Sequence, residues 1–379
     1  MSFLFWLCAF GATYSYLWYP ALLLILPPRR VRGHRAASSN ATMGRTAIVI
    51  AARNEAEKIA YKIENTLALE RAGIVLDIVV ASDASDDATD QIVERYAQRG
   101  VRLVRSDARR GKEYAQGLAV ASTEADVIIF TDAGVSLRPD ALVYLERAFR
   151  DSDVGAVSSV DGFLTADGTL QGEGAYVRYE MWLRDLETRF FSLVGLSGSF
   201  FAARKSVCIN WDQRVSSDFG TALNCVRAGM RAVSDRDVIG YYKNIADPRK
   251  EYQRKLRTVV RGMRSLLVRR DVLNFAKFGR FSFQVFSHKV MRWAVPWFLL
   301  GALITSALLS RDMASYRGVL TAEALLYLSP VACSLVPALR RIGAVRLAVF
   351  FVETNIAIAR AAVLTLSGRT ILQWEPSRR

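Results

Sequence analysis

The chain has 379 residues, 51% hydrophobic content and a formal net charge of +15. That length holds one large catalytic domain with attachments, and the apolar content is only slightly above that of a soluble protein. The charge would suit nucleic acid in a soluble chain, but no helix-turn-helix, zinc or RNP-like pattern accompanies it. The four cysteines lack CxxC spacing, so neither a disulfide framework nor a zinc site is implied.

Residues 1–28 carry no charged side chain, and Phe3 to Leu26 is long enough to cross a hydrocarbon core, which needs about 20 residues. The basic cluster Arg29-Arg-Val-Arg-Gly-His-Arg35 follows this segment, whereas a signal peptide would begin with one. This order predicts a retained anchor (1–28) and a basic linker (29–45) on the cytoplasmic side.

The region 46–243 alternates strand and helix. Ala47-Ile-Val-Ile-Ala51 reads as a buried strand, followed by a helix with Ile59, Ile63 and Leu67 at four-residue spacing. Leu76–Ala81 is the next strand, then a helix over Asp87–Gln98 closed by Gly100. Val101–Val104, a helix after Gly111 and a strand over Asp126–Thr131 continue the repeat. The expected fold is α/β, a doubly wound and mostly parallel sheet. Ligand groups in such sheets gather beyond the strand C-termini. There stand Ala51-Ala-Arg-Asn-Glu55, Ser82-Asp83-Ala-Ser-Asp86-Asp87, Ser106-Asp-Ala-Arg-Arg-Gly-Lys112 and Asp132. Asp and Ser after a strand are often helix N-caps, but caps do not explain acids and a basic glycine turn along one edge. No Gly-x-Gly-x-x-Gly or Gly-Lys-Ser/Thr pattern occurs, which excludes ordinary dinucleotide and P-loop sites.

Further on, Tyr176, Tyr179, Trp182 and Leu186 share a helical spacing that predicts a packed face. Asn244 to Arg292 holds 13 Lys or Arg against 3 Asp or Glu, +10 of the +15, before a second apolar region. Such a placement fits an anionic membrane face and an anionic substrate. Within it, Phe275–Trp293 reads as an interfacial helix. Trp293–Ser310 and Gly318–Leu339 predict spans, and Leu347–Leu366 a third span or an interfacial helix, since it carries Glu353, Asn355 and Arg360.

These motifs resemble the membrane-bound family 2 glycosyltransferases with a GT-A fold, including the processive synthases of cellulose, hyaluronan and poly-N-acetylglucosamine. The likeness covers about Thr46 to Arg264 and, by layout, the flanking membrane segments. It implies that Ala52, Arg53, Glu55 and Asp83 hold the base and ribose of a nucleotide sugar and that Lys112 lies near the sugar donor. Thr131-Asp132-Ala-Gly134 is similar to the Asp-x-Asp motif that holds metal and diphosphate, with Gly134 in place of the second Asp. Asp132 is then the one metal ligand, for Mg²⁺ or Mn²⁺ completed by diphosphate and water. Asp218, in Arg214-Val-Ser-Ser-Asp218, resembles the catalytic base; capping the helix Phe219–Ala228 is its structural alternative. Gly195 to Arg204 is similar to the small-residue strand beneath the acceptor. Gln253-Arg-Lys-Leu-Arg257-Thr258 resembles a Gln-x-x-Arg-Trp segment and makes Arg257 a diphosphate contact and Arg254, standing where Gln is expected, a nucleotide-sugar contact, with Thr258 where Trp is expected.

The resemblance implies an inverting hexosyltransferase of the cell (inner) membrane with its catalytic domain (46–243) in the cytoplasm, basic interfacial helices at 244–292 and a C-terminal membrane region at 293–379. A UDP-sugar is the first choice of donor. The acceptor is a polysaccharide or lipid-linked sugar, and membrane lipids and other polysaccharide synthesis or export subunits are further partners. Two other readings are a non-processive transferase adding one sugar to a lipid carrier, and a silent nucleotide-binding scaffold of a secretion complex.

Overall fold

The computed structural model describes residues 1–29, 43–71, 73–164, 174–209, 211–212, 215–243 and 248–368. Arg214, most of the basic linker, the 244–247 junction and the tail after 368 lie outside the described residues. The chain forms two compact units, one of Leu26–Pro248 with Arg264–Ser282, the other of Met1–Ile25, Arg249–Met263 and Phe283–Ile371.

The first unit is built on one mixed sheet. Its strands are β1 (Arg45–Ala52), β2 (Val75–Ser82), β3 (Val101–Arg105), β4 (Val127–Asp132), β5 (Ser136–Leu137), β6 (Val154–Leu164), β7 (Phe200–Arg204) and β8 (Arg231–Lys243), in the order β3-β2-β1-β4-β7-β6-β8-β5. The first four by position are parallel, as the βα repeat predicts. From β7 onward the sheet is mixed: β7 runs against β4 and β6, and β5 against β8. The continuous apolar runs of β1 and β4 follow from burial on both faces. Ile48, Ile50, Val80 and Ile129 pack on one side with Ile59 and Ile63, while Val49, Val79, Ile128 and Phe130 pack on the other with Ala115 and Ala119. Each such Val, Ile or Phe side chain contributes about 1.5–3 kcal/mol of burial. Register sets the site: Ala52 pairs with Ser82, Ser82 with Arg105 and Ala51 with Asp132, so four strands end on one line.

Several elements depart from expectation. The helix expected over Asp87–Gln98 is an α-helix only over Thr89–Glu94, followed by a 3₁₀ turn at Ala97–Arg99; Gly100 is its left-handed cap, φ 82°. On the helix Ala175–Phe190 the buried side chains are Leu183, Leu186, Glu187 and Phe190, whereas Tyr176 and Trp182 are more than one-third exposed. The aromatic row is therefore not the packed face; Leu186 belongs to a stripe offset from it. The interfacial helix expected over Phe275–Trp293 is interrupted at Gly279, φ 49°, and from Arg280 onward continues into the next long helix.

Among the described residues, the second unit holds four helices long and apolar enough to cross a membrane: Ser2–Ile25, Arg280–Leu309, Ala314–Leu335 and Gly343–Leu366, the second beginning in the sheet unit. The fourth takes in Leu347–Leu366, expected as a span or an interfacial helix, and is long enough for a span. A Cβ at Gly11 would meet the Phe298 ring at 2.7 Å and one at Gly301 the Cys8 Sγ at 2.7 Å, so these glycines permit close helix approach. Inside this unit Ser306 Oγ donates to Glu323 at 2.5 Å and the buried Asn355 donates to the Phe351 carbonyl at 2.9 Å. The Ser306–Glu323 pair is thus answered within protein, as apolar surroundings require, whereas the buried Asn355 Oδ1 has no hydrogen-bond partner among the described residues.

Candidate active site

The β1 and β2 exits are laced together. Arg53, buried, donates to the Asp83 carbonyl at 2.7 Å, to the Ala84 carbonyl and to Asp86 Oδ2 at 2.6 Å. Asn54 and Ala84 both adopt φ 52°, and the Asn54 side chain accepts from the Asp86 amide at 2.9 Å. Left-handed backbone in a non-glycine residue costs of order 1 kcal/mol and is retained where surrounding bonds over-determine it. Arg53 thus braces the loop after β2, which engages its guanidinium. Ala52 ends β1 and its carbonyl accepts from the Asp83 amide at 3.0 Å.

Asp83 is almost fully buried, and its carboxylate accepts from the amides of Arg110 at 2.8 Å and Gly111 at 3.0 Å. It therefore fixes the basic turn whose Gly111 stands at φ 98°, open to glycine without strain, and starts the helix Lys112–Ala121. Glu55 is buried, with Lys58 at 3.7 Å. Burial first, with Asp132 and Asp87 nearby, holds its carboxyl above the usual range against the pull of Lys58.

Lys112 is the centre of the array. Its ammonium donates to Asp132 Oδ1 and, at 2.9 Å, to the Gly198 carbonyl. The Asp132 amide donates to the Ser199 carbonyl at 3.0 Å, which ties β4 to the segment before β7. On the other side of Gly198 a Cβ would meet Asp218 Oδ2 at 2.9 Å. Asp132, Lys112, Gly198 and Asp218 are therefore contiguous. The helix carrying Asp218 runs Ser217–Arg227 with Ser216 at its N-cap, so Asp218 lies in the first turn and is not the cap. Its Oδ1 accepts from the Phe219 amide at 2.8 Å, and a carboxylate at a helix N-terminus is favoured by the dipole.

The segment before β7 is held by residues that sequence patterns did not single out. Arg184 donates to Ser158 Oγ at 3.0 Å and the Gly195 carbonyl at 3.1 Å, and Ser197 Oγ donates to Asp161 at 2.8 Å. Lys62 was also missed. It is 1% exposed and donates to Thr131 Oγ1 at 3.0 Å and the Val135 carbonyl at 2.6 Å. The signal was present: Ile59, Lys62, Ile63 and Thr66 occupy the i, i+3, i+4, i+7 stripe of a buried face. Arg254 and Arg257 stand on the helix Pro248–Val268, within the part that belongs to the helical unit. Among the described residues no group of three or more His, Cys, Asp or Glu could hold a metal ion. Asp132 offers one hard oxygen, and space at Gly134 is open, so the residues fit a divalent ion shared with a diphosphate rather than a cage of protein ligands.

A half-parallel sheet with acids at every strand exit, a lysine bridging β4 to the segment before β7 and a carboxylate beyond it is of the GT-A type. Over 95% of this chain and 96% of the other, the structure superposes on the mannosyltransferase PcManGT from Pyrobaculum calidifontis, solved with GDP-Man and Mn²⁺, with TM-score 0.71 and 21% identity. Residues 47–210 match the model of Glycosyl transferase family 2, and the chain carries a domain of that family. The succinoglycan biosynthesis protein ExoO of Rhizobium meliloti (strain 1021) is 34% identical over 114 residues, 30% of this chain and 32% of its own. The beta-monoglucosyldiacylglycerol synthase of Trichormus variabilis is 24% identical over 180 residues, 45% of this chain and 38% of its own. These matches span about a third of the curated relatives.

Proposed function

We propose that the protein transfers a sugar from a nucleoside-diphosphate sugar to a hydroxyl of a lipid-linked or glycan acceptor at a cell membrane, with inversion and with its sheet unit in the cytoplasm. The observation that carries this reading is the contiguity of Asp132, Lys112, Gly198 and Asp218. Asp218 takes the acceptor hydroxyl proton as that oxygen bonds to the anomeric carbon. The bond from that carbon to the diphosphate oxygen breaks, and the nucleoside diphosphate leaves with the electron pair. Lys112 faces the charge that develops there, where a preorganised cation acts strongly. A divalent ion, Mg²⁺ or Mn²⁺, bound at Asp132 would supply further charge stabilisation to the diphosphate. Glu55 and the Arg53-braced loop line the nucleotide end. Arg254 and Arg257 enter the proposal from the sequence resemblance alone. The relatives named above, in succinoglycan and glucosyldiacylglycerol synthesis, support an envelope acceptor, and the GDP-Man of the structural relative puts GDP-sugars beside UDP-sugars in the donor panel.

The test is release of nucleoside diphosphate by the purified protein in lipid, from UDP- and GDP-sugars, with Mg²⁺ or Mn²⁺. Asp218→Asn should lower kcat by about 10²- to 10⁴-fold while donor binding persists. No release from any donor, with acceptor lipids supplied, would sink the proposal. Thr258 favours addition of a single sugar: it replaces the aromatic residue of processive relatives, and its hydroxyl donates to the Arg254 carbonyl of its own helix at 2.9 Å. Product length distinguishes this reading from repeated addition.

A further inference from the structure

Three residues after Asp132 the chain still answers to one buried cation. The turn Asp132–Val135 is closed by the Val135 amide, which donates to the Asp132 carbonyl at 3.1 Å. Lys62 reaches both flanks of that turn from beneath, through Thr131 Oγ1 on the entering side and the Val135 carbonyl on the leaving side. Its helix, Ile59–Leu67, has its next inward polar residue at Asn65, whose side chain donates to the Leu137 carbonyl at 3.0 Å and accepts from the Leu137 amide at 2.8 Å. Lys62 thus holds the turn itself, whereas Asn65 holds the strand Ser136–Leu137 beyond it. A lysine at 1% exposure is expensive to keep. Burial pushes its ammonium down to about 7, with Asp132 pulling the other way.

This expense has a reason in the motif itself. Gly134 leaves the turn with a single carboxylate, so the orientation of Asp132 alone decides how a cation and diphosphate are met. Lys112 engages that carboxylate directly, whereas Lys62 holds the backbone that carries it.

We propose that Lys62 is a positioning residue for the donor site, fixing the Asp132 turn so that its one carboxylate is aimed at the metal-diphosphate group. The inference rests on the function proposed above. It predicts that a residue never touching substrate controls metal and donor affinity more than it controls turnover.

The test measures Mn²⁺ binding from the loss of free-ion electron paramagnetic resonance signal, with GDP or UDP as the diphosphate probe, on the full chain in lipid. Lys62→Met, which keeps volume and removes both bonds, should weaken Mn²⁺ half-saturation by about tenfold; Thr131→Val, which removes one, should weaken it by about threefold. The double variant should be no worse than Lys62→Met, because both changes cut the same link. Asn65→Leu controls for general loosening of the helix: it should lower the unfolding temperature without moving Mn²⁺ binding. Where sugar release is measurable, the KM for donor and metal should rise more than kcat falls. Unchanged Mn²⁺ half-saturation in folded Lys62→Met, or an equal loss in Asn65→Leu, overturns the positioning role and leaves the transferase reading standing. If Lys62→Met does not fold, unchanged binding in Thr131→Val overturns it. Wild-type protein that binds no Mn²⁺ with either diphosphate, and whose behaviour Asp132→Asn does not alter, overturns the site reading and this role together.

Discussion

Gly198 and Gly134 show how single positions govern the site. A methyl group at Gly198 meets only the end of the Asp218 side chain, which can swing away, so the fold tolerates it while the base is displaced. Gly198→Ala should keep its unfolding temperature within a few degrees and lose about tenfold or more in kcat, a shift of roughly 1.4 kcal/mol in barrier; unchanged turnover would show that Asp218 is not where the proton is taken. Gly134 is the converse case. Nothing lies within 4 Å of its would-be Cβ, and its backbone is not among the left-handed glycines. Gly134→Asp therefore adds a second carboxylate without strain and should lower the Mn²⁺ concentration for half-activation by about tenfold, read from a metal titration of nucleoside diphosphate release. Arg53 and Asp83 teach a different lesson about residues. The resemblance made both donor contacts, but the guanidinium of one and the carboxylate of the other are engaged by loop backbone. Residue type and spacing singled out these positions, and the fold adds the loop bonds they make.

Among the elements, the helix Ile59–Leu67 carries a fully buried lysine. Lys62 has a folded pKa of about 7, below the ordinary 10.5 of an exposed lysine. Between those values the unfolded chain binds more protons than the folded one, so this group makes stability rise with pH over that window; below about 7 the full penalty of a buried ammonium is present. The stability of wild-type protein relative to Lys62→Met should accordingly increase from pH 7 to pH 10, by several kcal/mol at most, as followed by denaturant unfolding at several pH values. A difference that stays flat would place the ammonium in a more polar setting than its burial implies. The neighbouring strands were legible because parallel strands covered on both faces must be apolar throughout, which made β1, β2 and β4 readable within a residue or two. β7 and the mixed half of the sheet were not legible as such, because antiparallel pairing across the sheet leaves no period in the sequence that distinguishes it from a parallel strand.

At the scale of the molecule, four helices of spanning length alternate with loops of different charge. Arg340 and Arg341 lie in the turn Pro337–Arg341, between the helices Ala314–Leu335 and Gly343–Leu366. Basic short loops remain on the cytoplasmic side. In a cysteine-free background, Ala338→Cys should resist a membrane-impermeant maleimide in intact cells and react after permeabilisation, whereas Asp312→Cys should react in both. Labelling of Ala338→Cys from outside would rule out this topology and with it a cytoplasmic sheet unit reached through an even number of crossings.

By itself the sequence determined the apolar segments, the βα repeat and the chemistry waiting at each strand exit. These depend on local periodicity and on composition over about 20 residues, which a chain displays in order. The tertiary structure decided that Lys112 meets a carbonyl 86 residues away, that Gly198 places its backbone against Asp218, and that Lys62 faces inward beneath Asp132. Such contacts arise only when distant segments pack together, and their energy depends on the burial and partners that packing creates.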